Sequence, residues 1–261
     1  TTASTYPSIS VPIEIKSGVN AKVETSRYSY FASPISGSGN LTIAAGGERS
    51  MMGTNKAGGV AVDWSQFTGN VTFEPYKMTG VTPGYYAMLL PITRTFRYET
   101  VLKPDSMYAT VDTLFKNRKV TLKAGVGLTG ASGTRCYAIG ELNAEDETAF
   151  IGGYGAGNSN SPRVYYMIGA LNTDVVYPGP FKDTGTSGYN YVGLIKTGTG
   201  TYTFTGTKSI TTASMGVQVA QGTFLVNVPV IDGVTALGRV KTVGNAMTIN
   251  KNAIGGGNGR L

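Results

Sequence analysis

The chain has 261 residues, of which 41% are hydrophobic, 10% aromatic and only 14% charged, with 37 glycines and a formal net charge of +7. This composition can build a core and excludes a disordered chain. Histidine is absent and Cys136 is the single cysteine, which excludes a Ser-His-Asp triad, a histidine-ligated zinc site and a disulfide within the chain.

The positive charge is scattered along the sequence, and its densest run, Lys116–Lys119, is typical of a turn. No nucleic-acid-binding motif is present. No apolar run approaches the roughly 18 residues that a membrane-spanning helix requires. The Gly-rich stretches lack the Gly-Lys-Ser/Thr ending of a phosphate-binding loop. We therefore expect no cofactor, no nucleic-acid partner and no direct membrane insertion.

Several short segments alternate apolar residues with threonine or other polar residues, which is the period-two pattern of a β-strand with one buried face. A glycine begins each segment and supplies a corner with positive φ. Convincing helical patterns are scarce. In chain order the segments are Gly39–Ile43, Gly69–Phe73, Gly200–Phe204 and Gly222–Val226.

Two further segments, Ile139–Asn143 and Ile168–Asn172, resemble each other at an interval of 29 residues. Repeats of about this length with glycine corners favour a β-solenoid, in which coils stack at the strand spacing of about 4.8 Å. The alternative is a pair of β-sandwiches. We predict one all-β domain over residues 1–261, with an irregular excursion at about residues 82–115.

The clearest repeat, residues 192–227, reads VGLIKTGTGTYTFTGTKSITTASMGVQVAQGTFLVN. It closely resembles the autotransporter-associated β-strand repeat, also called the passenger-associated transport repeat. The matching parts are the Lys-Thr-Gly-x-Gly start at Lys196–Gly200, an alternating strand at Thr201–Thr205, a polar arc at Thr207–Ser214 and a closing strand at Gly222–Val226, where Phe224 replaces the usual Leu.

Upstream pieces resemble the variant of this family found in secreted Bacteroidetes proteins; they are Gly37–Ile43, Gly46–Arg49, Asp63–Gly69, Ile139–Asn143 and Ile168–Asp174. The resemblance implies a single-stranded, right-handed parallel β-helix that is secreted or held at the bacterial cell surface. In that family the repeat is a stalk and folding element with no defined active site.

The last residues, Ala253–Leu261, resemble the start of another coil, so we expect the chain to be a fragment of a longer one. An open solenoid end exposes unpaired strand edges and core. We therefore expect additional protein beyond the C-terminal end, or a second copy, to cap the solenoid.

The charged residues offer two kinds of candidate chemistry. The cluster Glu141, Glu145, Asp146 and Glu147 could supply oxygen ligands to Ca²⁺, but no calcium-loop motif surrounds it, and a solvated turn is favoured over a metal site. β-Helix polysaccharide lyases use a Lys or Arg base, which requires a lowered pKa. The candidate bases are Arg94, Arg97, Lys103, Arg118, Lys119, Lys123 and Arg135. No lyase motif is present, and we do not predict an enzyme.

Tyrosines recur in Gly- or Pro-flanked segments and are candidates for stacking on sugar rings. The alternative is that they cap the core or pack between coils. The candidate ligand-binding residues are Tyr85, Tyr86, Tyr98, Tyr154, Tyr189 and Tyr191. In contrast, Trp64 in Asp63-Trp64-Ser65 is interpreted as a corner anchor, and Cys136 as a buried, inert thiol.

Two short segments, Asp105-Ser106-Met107 and Asp112-Thr113-Leu114, fit the acceptor pattern for O-linked glycans in Bacteroidetes. If the resemblance holds, Ser106 and Thr113 are candidate glycosylation sites. Unmodified peptide masses across both sites in native material would end this hypothesis.

The sequence thus predicts a structural stalk or passenger segment of a protein that is secreted or held at the cell surface, on the bacterial outer membrane. One alternative is a carbohydrate-binding adhesin surface, with possible polysaccharide partners, and the other is a β-helix polysaccharide lyase. A groove of Arg/Lys and carboxylates favours the lyase, a flat aromatic ladder favours the adhesin, and a uniform Thr/Asn surface favours the stalk.

Overall fold

The computed structural model describes residues 8–9, 11–26, 30–31, 33–46, 50–52, 63–76, 86–89, 110–130, 135–154, 163–182, 191–206 and 216–227, and the pairs 234–235, 238–239, 248–249 and 259–260. Within these residues all the regular secondary structure is β-strand. None of them forms a helix of the length and apolarity needed to cross a membrane.

The described parts of the chain form twenty-four strands, most of them short. In chain order they are β1 (Ser8–Ile9), β2 (Ile13–Ile15), β3 (Asn20–Ser26), β4 (Tyr30–Phe31), β5 (Ile35–Gly37), β6 (Asn40–Gly46), β7 (Ser50–Met52), β8 (Val71–Pro75), β9 (Tyr86–Leu89), β10 (Thr110–Leu122), β11 (Gly127–Gly130), β12 (Arg135–Ala144), β13 (Phe150–Tyr154), β14 (Arg163–Ile168), β15 (Val175–Tyr177), β16 (Phe181–Lys182), β17 (Tyr191–Lys196), β18 (Thr201–Phe204), β19 (Gly216–Val219), β20 (Gly222–Val226), β21 (Val234–Thr235), β22 (Gly238–Arg239), β23 (Thr248–Ile249) and β24 (Gly259–Arg260).

The strands stack into parallel sheets whose order follows the chain, which is the topology of a β-solenoid. The long sheet has nine strands in the order β3-β6-β8-β10-β12-β14-β17-β19-β23. A second sheet contains β1-β4-β7-β9-β11-β13-β16, a third contains β15-β18-β20-β24, and β2 pairs with β5. All these pairings are parallel, and only the small pair β21-β22 is antiparallel. The predicted all-β solenoid is confirmed.

The similar segments in the sequence are stacked neighbours in the structure. Leu41 pairs with Val71, and Ile139 pairs with Ile168. In the third sheet, Thr201 pairs with Thr223. Equivalent residues of the repeats therefore lie in register, because they occupy the same place on a parallel sheet in successive coils.

Two long strands join the two halves of the long sheet. The start of β10 pairs with the start of β12, and after two register shifts, at Asp112/Phe115 and at Phe115/Lys119, the segment Lys119–Leu122 pairs with the end of β12, Glu141–Ala144. Strand β8 pairs with the last residues of β10, whereas β14 pairs with the first five of β12. The sheet is consequently offset along the strand direction at this point, and β15 of the third sheet lies against β12.

Apolar side chains fill the space inside the coils. At each inward position, the equivalent side chains of successive coils stack on each other and form a ladder. In the third sheet, the inward residues Tyr202, Phe204 and Phe224 are at most 2% exposed, and the Tyr202 and Phe224 rings stack with centroids 6.0 Å apart. Burying a large apolar side chain of this kind contributes about 2–3 kcal/mol. Stacked inward ladders of this type are the main source of stability in a solenoid.

The outer side of the long sheet is also buried in its C-terminal half. A second apolar cluster lies on the opposite side from the core, because its members alternate along β12, β14 and β17 with the inward residues. Exposure of its buried members is 0–6%. They are Val111, Cys136, Ala138, Met167, Ile195 and Ala220.

Two segments of the expected excursion at residues 82–115 belong to regular strands. Residues 86–89 form β9, which pairs in parallel with β7 and β11. Residues 110–115 form the start of β10. Residues 82–85 and 90–109 lie outside the described residues.

Candidate functional site

The six candidate tyrosines do not form one described cluster. Tyr85, Tyr98 and Tyr189 lie outside the described residues, and so do the side chains of Tyr86, Tyr154 and Tyr191. The backbone of Tyr86 pairs with Gly127 and that of Tyr154 with Gly130, in the second sheet. Tyr191 begins β17 of the long sheet. These three tyrosines belong to strands, whereas the sequence suggested loops.

The other residues that the sequence singled out are Ser106, Thr113, Trp64 and Cys136, and the structure describes three of the four. Ser106 lies outside the described residues, and Thr113 is a half-buried residue of β10. Trp64 is 2% exposed and its indole N–H donates to the Ser33 carbonyl at 2.8 Å, which confirms the corner anchor. Cys136 is a buried free cysteine in the outer apolar cluster, as its strand-like surroundings predicted.

Arg118, a candidate base, is 7% exposed and bound to the protein's own backbone. Its guanidinium donates hydrogen bonds to the carbonyls of Leu114, Trp64 and Phe67. The guanidinium also lies 5.5 Å from the centre of the Phe67 ring. Burial lowers the pKa of Arg118, but its donors are directed into a corner of the solenoid. Arg118 therefore clamps two coils and is not placed to act on a substrate.

Two other candidate bases form ion pairs between successive coils. Lys119 lies 3.0 Å from Glu141, and Lys123 lies 2.9 Å from Glu145. Burial raises the pKa of Glu141, but contacts with Asn143, Thr173 and Lys119 outweigh it and lower the pKa overall. Both side chains of the Lys123–Glu145 pair are exposed, and exposed pairs contribute little stability. The side chain of Arg135 and all of Arg94, Arg97 and Lys103 lie outside the described residues.

The acidic cluster is divided among local contacts. Glu145 accepts hydrogen bonds from the Ala124 N–H at 2.9 Å and from Lys123, and these contacts hold its pKa below the usual value. Asp146 accepts the N–H of Thr148 at 2.7 Å. Across the described ranges, no three His, Cys, Asp or Glu side chains come together as a metal site.

Lys196 is a buried cation that the sequence analysis treated only as the start of a motif. It occupies an inward position of β17, between Ile168 and Val219 of the neighbouring coils, and is 1% exposed. Burial lowers its pKa to about 8, although the Asp174 carboxylate opposes that shift. The alternation of Val192, Leu194 and Lys196 was the signal, since it puts all three on the inward side.

The Lys196 ammonium caps a corner where backbone carbonyls converge. Its Nζ donates to the carbonyl of Thr197, to that of Gly198 at 2.9 Å and to that of Gln221, in the next coil, at 3.5 Å. Gly198 and Gly222 stack at this corner with φ of +68° and +74°. A Cβ on Gly222 would lie 2.3 Å from the Gly198 oxygen and 2.9 Å from Nζ.

Side chains from one coil also accept hydrogen bonds from the backbone of the next at this corner. The Asn172 amide oxygen accepts the Thr199 N–H at 2.9 Å, and the Asp174 carboxylate accepts the Thr201 N–H at 2.6 Å. Asn172 itself has φ of +62°, a left-handed conformation that Asn tolerates better than most residues. The Leu171–Asp174 segment and the Lys196–Gly200 segment thus interlock.

The outer surface of the N-terminal coils is a regular polar array. Asn70 donates to Asn40 at 3.3 Å, and Asn40 donates to Asn20 at 2.9 Å. Next to this asparagine ladder the register aligns Lys22, Thr42, Thr72 and Thr121. Lys22 pairs with Glu74 at 2.7 Å and with Glu24 at 3.4 Å, so its charge is balanced on this surface.

Three tyrosines are completely buried and their hydroxyls differ in hydrogen bonding. The Tyr166 hydroxyl lies 2.7 Å from the Gly152 carbonyl and 3.0 Å from that of Leu128. Among the described atoms, the hydroxyls of Tyr177 and Tyr202 have no hydrogen-bond partner. Burial raises the pKa of all three tyrosines, so these phenols are held neutral.

Comparison of the chain with protein-family models gave no match, and comparison with curated proteins gave no significant match.

Proposed function

We propose that this chain is a structural shaft: a β-solenoid segment of a secreted or cell-surface bacterial protein that holds other parts of that protein at a distance. The observation that carries this proposal is the use of its charged side chains. Lys196 and Arg118 cap backbone carbonyls at corners, and Lys119 and Lys123 pair with carboxylates of the next coil. These groups connect coils to each other.

The outer surface supports the same function. A shaft needs a surface that stays hydrated along its whole length, and the aligned Asn and Thr side chains with the paired charges of Lys22, Glu24 and Glu74 meet that need. The net positive charge is not gathered on the described N-terminal surface, where Lys22 is balanced by Glu24 and Glu74. The resemblance to autotransporter-associated repeats adds the secreted or surface location to the proposal.

A polysaccharide panel distinguishes the shaft from its two alternatives. The protein is incubated with acidic and neutral polysaccharides and assayed both for retention and for unsaturated cleavage products. We expect neither signal from folded protein. Cleavage would show that the protein is a lyase and not a shaft. Salt-sensitive retention without cleavage would show that it is an adhesin.

A mechanical measurement tests the shaft directly. The protein is held between handles at its two ends and stretched in a single-molecule force experiment. A stack of coils is expected to extend in several steps, each releasing one coil of chain, about 100 Å for a coil of about 29 residues at roughly 3.5 Å per residue. One all-or-none extension at low force would contradict a load-bearing stack.

A further inference from the structure

Two members of the asparagine ladder belong to the acceptor pattern for sugars linked to asparagine. Residues Asn40–Thr42 read Asn-Leu-Thr, and residues Asn70–Thr72 read Asn-Val-Thr. No other asparagine of the sequence has Ser or Thr two positions later. The Asn-x-Ser/Thr pattern, with x other than proline, accepts a sugar on the side-chain nitrogen and is used at protein surfaces.

Both patterns lie on the outer surface of neighbouring coils. Asn40 begins β6 and Asn70 directly precedes β8, and both asparagine side chains are exposed. The middle residues, Leu41 and Val71, pair with each other and are at most 1% exposed. Because successive residues of a strand point to opposite sides, each asparagine shares the outer side with the threonine of its pattern. The amide and the hydroxyl that define the acceptor are therefore neighbours on the surface.

The hydrogen bonds of the asparagine ladder use only one of the two N–H groups of each donating amide. Asn40 accepts a hydrogen bond from the Asn70 amide at 3.3 Å and donates one to the Asn20 oxygen at 2.9 Å. Its carbonyl and its donated N–H therefore point in opposite directions along the stack. The N–H on the same side as the carbonyl oxygen is not used by the ladder.

A sugar in place of that second N–H leaves the ladder intact. A substituted asparagine amide is a secondary amide, and secondary amides are trans, as the peptide bond is. The sugar then lies opposite to Cβ, on the side of the carbonyl oxygen. The remaining N–H lies opposite to that oxygen, in the direction in which Asn40 donates to Asn20. Modification of Asn40 is therefore compatible with the stacked coils.

We propose that Asn40 and Asn70 are acceptors of an N-linked sugar, which a glycosyltransferase transfers from a donor that carries the sugar on a phosphate. The asparagine nitrogen forms a bond to the anomeric carbon of the sugar, and the bond between that carbon and the phosphate oxygen breaks. The phosphate leaves with the electron pair of that bond, and the amide proton passes to a base of the transferase. The phosphate belongs to a nucleotide or to a lipid. This inference goes beyond the proposed shaft and does not depend on it.

Peptide mapping of the protein isolated from its source organism tests the proposal. Trypsin cleaves after Lys and Arg, so Asn40 is recovered in the peptide 28–49 and Asn70 in the peptide 57–77. We expect each peptide to carry the additional mass of one or more sugars, which fragmentation locates on the asparagine. Addition of a single sugar indicates a nucleotide donor, and addition of a preassembled chain of sugars indicates a lipid donor. Unmodified masses for both peptides would overturn the proposal.

Asn20 is an internal control in the same measurement. It is exposed and belongs to the same ladder, but Lys22 stands where the pattern requires Ser or Thr. Its tryptic peptide, residues 17–22, should therefore carry no sugar. A sugar on Asn20 at the same occupancy as on Asn40 would show that exposure alone directs the addition, and that result would refute the assignment of the two acceptors.

A pair of variants at Thr42, expressed in the source organism, tests the role of the hydroxyl. Thr42→Val removes the hydroxyl and keeps the branched shape, whereas Thr42→Ser keeps the hydroxyl. We expect Thr42→Val to lose the sugar from Asn40 and to keep the sugar on Asn70, while Thr42→Ser keeps both. A sugar that stays on Asn40 in Thr42→Val would contradict the proposal. If Thr42→Val does not fold, the peptide map of the parent protein decides the question alone.

Discussion

The buried hydroxyls of Tyr177 and Tyr202, which have no hydrogen-bond partner among the described atoms, predict that removing one of them stabilises the protein. Replacing a buried tyrosine by phenylalanine removes one hydroxyl and leaves the ring in place. Tyr202 has no hydrogen-bond partner for its hydroxyl among the described atoms, and an unsatisfied buried polar group costs about 1–3 kcal/mol. Tyr202→Phe should therefore raise the free energy of unfolding by about 1 kcal/mol. In a chain of this length that corresponds to a rise in Tm of about 2–4 °C.

Tyr166 is the matched control, because it is equally buried and its hydroxyl lies 2.7 Å from the Gly152 carbonyl. Tyr166→Phe should lower the free energy of unfolding by about 1 kcal/mol. Urea unfolding followed by circular dichroism measures both variants. Equal destabilisation by the two substitutions would refute the reasoning, since it would mean that the Tyr202 hydroxyl is hydrogen-bonded, for instance to a buried water.

The same phenols predict the response to alkali. Their pKa values are raised in the folded state, so above about pH 10 only the unfolded chain ionises them and stability falls. Absorbance at 295 nm should show Tyr166, Tyr177 and Tyr202 ionising together with unfolding. Complete ionisation of all 16 tyrosines while the circular dichroism stays native would contradict this.

Three other predictions concern the corner and the outer cluster. Gly222→Ala should lower the free energy of unfolding by about 3 kcal/mol or more, because a Cβ would lie 2.3 Å from the Gly198 oxygen. Gly125 is the control: it has φ of +78° and open space around it, so Gly125→Ala should lower the free energy of unfolding only by the backbone strain of about 1–2 kcal/mol. Equal losses in urea unfolding would argue against close packing at the corner. The pKa of Lys196 is about 8 when folded and near 10.4 when unfolded, so the unfolded chain binds more protons between these values and stability should rise with pH there. Lys196→Met should remove that rise, measured as the urea midpoint at pH 7.5 and 9.5, and an unchanged slope would exclude Lys196 as its source. Cys136, at 1% exposure, should react with a thiol reagent only as fast as the outer cluster opens, and immediate labelling of native protein would show that the cluster is uncovered.

The sequence predicted the fold because a parallel stack repeats the same local environment. Glycine-led segments with alternating apolar residues were recognised as strands, and the pairs that resembled each other proved to be neighbours. The Gly39–Ile43 and Gly69–Phe73 segments show this directly, since Leu41 pairs with Val71 and Ile43 with Phe73.

The roles of the buried cations were not predicted, for a physical reason. Whether Arg118 is a base or a clamp depends on which carbonyls converge around it, and those of Trp64 and Phe67 are about 50 residues away in sequence. The inward place of Arg118 follows the same alternation as Val120 and Leu122, which are fully buried, but that alternation does not show which carbonyls surround the guanidinium. For Lys196 the alternation with Val192 and Leu194 was present in the sequence, but lysine is rarely buried, so the residue type by itself argues against an inward position.

The outer apolar cluster was missed because each strand was read as having one buried face. In β12, β14 and β17 apolar residues occupy both faces, which is the composition of a strand inside a layered structure. Runs such as Tyr165–Ile168 carry that signal as uninterrupted apolar residues, without the alternation used to detect strands elsewhere in the chain.

The contacts between coils also show what determines the length of the solenoid. Asparagines stacked on each other are 20 residues apart in one coil and 30 in the next, yet each coil advances the stack by one strand spacing, about 4.8 Å. Additional residues in a coil therefore enlarge the cross-section of the solenoid and leave its length unchanged. An evolving chain of this kind can accept insertions at its corners while its span stays constant, and its span changes only when a whole coil is gained or lost.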